Sequence, residues 1–405
     1  MMNHSDAGHA LSSREDNKGR LATLFLVSTL TVMAPAAASP AVTGIYEAFQ
    51  STPGAELWSR LTLTIPPLFS AIGAMFAGQL IDRFGRRGPL MIALFAYGIA
   101  GSASGLAPDL ILLMTSRAIL GLAVAVIMVT AATLVTDYYS AEERRRILAL
   151  QSGCMSLGGI AYFLMSGVLV DVHWRLAFAI YAIALVLLPF VFLLINEPAW
   201  RTHQAQGDGK AELAGGNRAV WLLAGAALFG MVTFYLVPVQ VPFYLQQIDP
   251  DISGTATGAA IASTTLTNAI FSFLYMRIRA QLGILAVFAV IFAVMAGGAL
   301  TLFVAESYLV VIFGLAMMGS GVGLLFPHLS YSTSLVAIPA QRGRALGLVN
   351  SGIFFGQFLS PLAVHPLIGA FGLRGTFAVM SALCALTAMI TLGVLLSRQR
   401  IAQPN

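Results

Sequence analysis

Long apolar runs alternate with short polar segments along almost the whole chain. A helix needs about 20 mostly apolar residues to cross the hydrocarbon core of a bilayer, and twelve runs of that kind can be counted. In the first half they cover 21–46, 61–81, 89–107, 110–136, 147–170 and 175–195; in the second, 218–245, 254–276, 282–304, 307–333, 344–368 and 373–396. Their apolar positions are continuous, not alternating over segments of about ten residues, so the pattern predicts helices and argues against a barrel. The expected fold class is all-α and integral to the membrane, with twelve transmembrane helices.

Composition agrees. With 58% hydrophobic and only 10% charged residues in 405, the chain has too few polar side chains to coat a soluble core. Eighteen of the 22 Lys and Arg residues fall on one side of the twelve-run pattern. Arg60, Arg175 and Arg374 fall on the other side, and Arg117 is inside a run. Basic residues in short loops favour the cytoplasm, so both termini are expected there, in a multi-pass protein of an inner or plasma membrane. The net charge of +5 is then a topology signal and no reason to invoke nucleic acid. A cleaved signal peptide competes for the segment up to Ser39, but signal-peptide apolar regions are short. Cys154 and Cys384 both fall inside runs, so neither a disulfide framework nor a metal site is expected.

The chain also repeats itself. Arg144, Arg146, Leu148, Leu150 and Gly158 recur 198 residues later as Arg342, Arg344, Leu346, Leu348 and Gly356; after one inserted residue, Arg175 and Phe178 recur as Arg374 and Phe377. Parallel self-similarity of this kind predicts two pseudo-symmetric six-helix bundles. The domains are then a tail over 1–20, a bundle over 21–196, a polar linker over 197–217, a second bundle over 218–396 and a tail over 397–405.

Between the second and third runs stands the compact charged turn Gly78-Gln79-Leu80-Ile81-Asp82-Arg83-Phe84-Gly85-Arg86-Arg87. Its spacing resembles the loop signature of the major facilitator superfamily of secondary transporters. Arg117 followed by Gly121, Asp137 followed by three arginines, and Arg342-Gly343-Arg344 resemble further patterns of that family. Tyr162-Phe163 departs from the drug/proton antiporter branch, where Gly-Pro would stand in the fifth helix. A sugar-efflux-like branch is the other resemblance.

The resemblance implies a monomer, without cofactor, that moves a small-molecule substrate across the bilayer, with protons as the coupling partner in efflux. It places Asp82 near the start of the eleventh helix around Arg344, as a latch at a helix N-terminus. Arg83 and Arg86 are expected to pair with Asp137. The alternative is that these charges only stop helices sliding into lipid. The cavity is expected between the halves, lined from the first, fourth, seventh and tenth runs. Its candidates are Thr233, Tyr235 and Gln240, with Met317 and Met318, and Asn268, Asn350 and Gln357 from neighbouring runs.

Arg117 is the one formal charge well inside a run, and such a charge usually faces a cavity or a partner. It either serves the solute or bonds neighbouring carbonyls. No acid lies deep in any run, and His365 is read as the only embedded side chain with a near-neutral unperturbed pKa. It serves coupling or simply packs. Uptake of an anionic solute by Arg117, or a receptor that transports nothing, are the competing functions. No phosphate-binding Gly-Lys-Ser/Thr loop, HExxH or metal-spaced cluster is present, so an enzyme is not expected.

Overall fold

The computed structural model describes residues 4–197, 218–338 and 341–401. Without water in the bilayer core, backbone groups must bond within the chain, and helices satisfy them locally. The first half holds α1 (His4–Ala38), α2 (Val42–Phe49), α3 (Ala55–Phe84), α4 (Arg87–Ala103), α5 (Leu110–Tyr138), α6 (Ala141–Val172) and α7 (Ile183–Leu194), with a 3-10 stretch Trp174–Ala182 leading into α7. The second holds α8 (Arg218–Phe234), α9 (Leu236–Ile248), α10 (Gly254–Gln281), α11 (Ile284–Val304), α12 (Tyr308–Val336) and α13 (Arg342–Ile401). Of the predicted linker over 197–217, all but Glu197 lies outside the described residues, as do 402–405.

The helices depart from the predicted runs in three places. The tail expected over 1–20 is helical from His4, continuous with α1. The first and seventh runs are broken: a turn at Ser39-Pro40 separates α1 from α2, and Tyr235 separates α8 from α9. Pro40 and Pro238 stand beside these breaks and bring no N–H to a helical ladder. α13 is 60 residues long, about 90 Å at 1.5 Å per residue, or roughly three bilayer cores. It is divided at Gly372, whose φ of 69° and ψ of 176° leave the helix between the eleventh and twelfth predicted runs. The described helices thus make twelve crossings.

The internal repeat has a structural meaning. Arg175 donates to Gly105 O at 2.8 Å and Ala107 O at 3.1 Å; its counterpart Arg374 donates to Ala305 O at 2.6 Å. Both arginines thus bond carbonyls left free where the third and ninth crossings end. Phe178 stacks with Tyr181, and Phe377 meets Tyr244 edge-on. The tyrosines reach onward: Tyr181 donates to Ala34 O at 2.6 Å, and Tyr244 to Leu302 O at 2.7 Å. The same residue pair therefore organises each bundle. Outside, large apolar side chains such as Phe76, Ile92, Leu222 and Leu309 are exposed, the surface expected to face lipid.

Candidate functional site

A cavity of about 580 Å³ lies between the halves, within the roughly 300–1,000 Å³ of small-ligand sites. α1, α3, α5 and α6 form one wall; α8, α10, α12 and α13 form the other. Tyr235, Asn268, Asn350 and Gln357 line it together, and Tyr235 donates to Gln357 Oε1 at 3.1 Å. Asn350 and Ser152 are exposed, whereas Ala34 and Ser70 at the far end are buried. The cavity is therefore wet from the face that carries the charged hinge 78–87.

Four predicted lining residues are elsewhere. Thr233 is two residues from Tyr235, about 200° around a helix, so the two cannot share a face. Its hydroxyl donates to Phe229 O at 3.0 Å and lies 3.7 Å from Cys384 Sγ, inside its own half. Gln240 is buried with Oε1 unbonded. Met317 and Met318 pack on the α11 glycines Gly297 and Gly298.

At the face opposite the hinge the halves are joined. Asp171, ending α6, accepts from the backbone N–H of Gly254 at 2.5 Å and of Thr255 at 3.1 Å, and from the Thr255 hydroxyl. Ser39 Oγ donates to Pro238 O at 2.5 Å, across the two helix breaks. Arg60 pairs with Glu56 at 2.6 Å and lies 4.9 Å from the Phe243 ring of the other half. α6 and α10 also touch backbone to backbone. A Cβ at Gly258 would run into Phe163 O, and one at Gly167 into Gly254 O. The Asp171–Gly254, Asp171–Thr255 and Ser39–Pro238 hydrogen bonds and the edge-on contact of Tyr46 with Phe243 thus all join the halves at this face.

The hinge is bonded within the first half. Arg86 Nε donates to Asp137 Oδ2 at 3.1 Å, and its Nη2 lies 3.6 Å from Asp82 Oδ1. Arg83 does not join Asp137: it lies over the Phe84 ring, 5.3 Å from its centroid, and makes no ion pair among the described residues. Asp82 is largely exposed, and its recorded ion pair is with Arg86 on its own turn, not with the start of α13. Gly85 has φ of 82° and ends α3. The carboxylate of Glu197 then accepts from the backbone N–H of Arg86 at 2.6 Å and of Arg87 at 2.9 Å, satisfying the free donors at the start of α4. Gly78 has open space around it, while Gly121 sits so close to α3 that a Cβ would meet Pro66 O.

Arg117 is fully buried. Its Nη1 donates to Tyr181 Oη at 2.8 Å, and its guanidinium lies 4.6 Å from the Phe178 ring centroid and 5.0 Å from that of Tyr181. Nε and Nη2 have no hydrogen-bond partner among the described residues. Arg117 shares a face of α5 with Val124, two turns nearer the cavity, but does not itself line it. His365 does not line it either; it is half-buried, with Nδ1 unbonded. Nor is it the only embedded imidazole. His328 on α12 is fully buried, with Nδ1 3.0 Å from Tyr275 Oη and Nε2 3.1 Å from Ile284 O.

A family model described as Major Facilitator Superfamily matches residues 24–251 and 249–404. The chain belongs to the Major Facilitator Superfamily. That membership sets it among transporters and not among enzymes. Among curated relatives, the niacin transporter NiaP of Acinetobacter baylyi is 34% identical over 128 residues, 31% of this chain and 28% of that protein. The arabinose-proton symporter of Escherichia coli K12 is 28% identical over 141 residues, 34% of this chain and 30% of that one. The multidrug resistance protein Stp of Mycobacterium tuberculosis is 24% identical over 344 residues, 69% of this chain and 63% of the relative. The alignments with the first two thus span less than a third of those proteins. A bacterial homologue of the lysosomal transporter Spinster, inward-facing and occupied, superposes with a TM-score of 0.74 at 19% identity, covering 93% of this chain and 96% of that one. The inward open xylose transporter XylE of Escherichia coli gives 0.72 at 16%, covering 92% and 95%.

Within this superfamily fold, three residues of the site were missed from sequence. Asp171 and Glu197 each stand just past a span, where an acid can reach a helix start elsewhere in the chain. His328 lies inside the predicted tenth run, and counting every histidine in the runs would have found it.

Proposed function

We propose that this chain is a secondary transporter that moves a small organic solute by alternating access, with the central cavity as its binding site. The observation that carries this reading is the asymmetry of contact. The halves are bonded at the face of Asp171 and Gly254, while the cavity is wet from the hinge face. A solute could enter from the hinge side, and crossing would require the Asp171 contacts to part.

With 18 of the 22 Lys and Arg residues on the hinge side, that side is assigned to the cytoplasm, in a cell membrane. The direction proposed is export, coupled to protons. Coupling would fall to His328, His365, an acid at a helix end or the solute itself. Uptake of an anion on Arg117 is the weaker reading, because aromatic rings and protein enclose that guanidinium.

A solute screen by thermal stabilisation in detergent tests the proposal, since a ligand of the folded state raises apparent stability. Stabilising compounds should then show saturable flux in reconstituted vesicles that Gln357→Leu reduces. Stabilisers that are never carried would point to a receptor and reject transport.

A further inference from the structure

The cavity's two walls differ in what they can offer a solute. On the first-half wall, Ser152 Oγ donates to Leu148 O at 3.0 Å, Ser156 Oγ to Ser152 O at 3.1 Å and Ser70 Oγ to Gly121 O at 2.9 Å. A hydroxyl has one proton to donate, so these side chains keep only acceptor lone pairs. Across from them, Asn268 and Asn350 make no side-chain hydrogen bond among the described residues. Gln357 uses Oε1 alone, leaving its amide N–H groups free. No lining side chain is charged. Apart from the hydroxyls of Thr31, Thr265 and Tyr235, the rest of the lining is apolar, with aliphatic, thioether and aromatic side chains such as Val124, Met155 and Phe326.

From this asymmetry we infer that the solute is uncharged and carries a carboxamide-like edge, with adjacent donor and acceptor, on an otherwise apolar body. The amides of Asn268, Asn350 and Gln357 read that edge, and the thioethers and rings take the body. An ion would shed water here without meeting a counter-charge. A polyol brings hydroxyls around its whole body, more than the amides and hydroxyls of an otherwise apolar lining can pair. An amide edge matches the donors and acceptors that the second-half wall leaves open. The inference rests on the transporter reading for the cavity's role and adds the chemical class that enters it.

The test uses the purified full chain and three isosteric probes, 2-naphthamide, 2-naphthoate and 2-naphthamidinium, with a hexose as the uncharged polyol. Thermal unfolding is followed at equal millimolar concentrations. Only 2-naphthamide should raise the midpoint. Asn268→Leu and Asn350→Leu should each weaken its apparent affinity by about tenfold, while Ser152→Ala and Ser156→Ala stay within about twofold. The probe comparison on the wild-type chain stands even if an asparagine variant fails to fold. Equal stabilisation by a charged probe or the hexose, no stabilisation by 2-naphthamide, or a serine effect as large as the asparagine effect would overturn the inference. None of these outcomes touches the transporter reading, which depends on the cavity being reachable in turn from both faces.

Discussion

The carboxylate of Asp171 caps a helix of the opposite half, 2.5 Å from the backbone nitrogen of Gly254 and 3.1 Å from that of Thr255. Ser253 Oγ accepts the next free N–H, from Ala256 at 3.0 Å. The start of α10 is therefore capped from both halves, by its own N-cap residue Ser253 and by Asp171 of α6. Charge-assisted bonds at a helix N-terminus are among the stronger single contacts, yet Asp171 is exposed to water, which keeps the contact breakable. Asp171→Ala should shift the population towards the state open at this face by about fivefold, a loss near 1 kcal/mol after allowing for solvent. Spin labels at Thr52 and Asp251 would report it as a longer distance. An unchanged distance distribution would remove Asp171 from the gate.

Asp82 is the hinge-face counterpart. In this state it is largely exposed, and among the described residues its ion pair is with Arg86, 3.6 Å away, which leaves it able to cap α13 once the hinge face closes. Asp82→Asn should leave expression intact and slow turnover, because the closed hinge-face state loses a charged cap. Flux at the wild-type rate would contradict this, and loss of the protein from the membrane would point to a folding role.

Arg117 separates stability from transport. Removing its hydrogen-bond partner by Tyr181→Phe leaves the buried guanidinium poorly satisfied and should cost about 1–3 kcal/mol in thermal unfolding. Arg117→Met, which replaces a buried charge with an apolar chain of similar length, should be close to neutral in stability. It should nevertheless abolish transport, and Arg117→Lys should restore little, since a lysine lacks the planar guanidinium that lies over the Phe178 and Tyr181 rings. Normal flux by a well-folded Arg117→Met would reduce this residue to packing.

How much of this could be read before the structure was seen depends on the distance between partners in the chain. The twelve crossings and the break at Gly372 follow from local hydropathy, whereas the Arg86–Asp137 pair, 51 residues apart, is legible only through the family resemblance. The cap of Glu197 on Arg86 joins residues 111 apart, and that of Asp171 on Gly254 joins residues 83 apart. Nothing in either neighbourhood announces its partner. Thr233 shows the complementary limit: it lies on a cavity-forming helix, but a polar residue on such a helix lines the cavity only if its face turns that way.

Glu197 provides a check on the hinge. Gly85→Ala would force a side chain into φ of 82° with its Cβ 2.7 Å from Glu197 Oε1. Glu197→Ala alone should lower stability by about 1 kcal/mol through loss of the cap on α4. If the cap explains the strain, part of the Gly85→Ala defect should disappear in the double variant. Strict additivity of the two unfolding shifts would mean that the glycine and the glutamate act independently.

The most direct measurement is two-sided labelling of one cavity position. Ser156→Cys, in a background carrying Cys154→Ala and Cys384→Ala, lines the cavity and can be offered a membrane-impermeant thiol reagent from either face of oriented vesicles. The account predicts fast labelling from the hinge face and slow labelling from the other. Adding Asp171→Ala should raise the slow rate by about fivefold and lower the fast one. Labelling from the hinge face alone, at the same rate with and without Asp171, would contradict alternating access gated by that carboxylate.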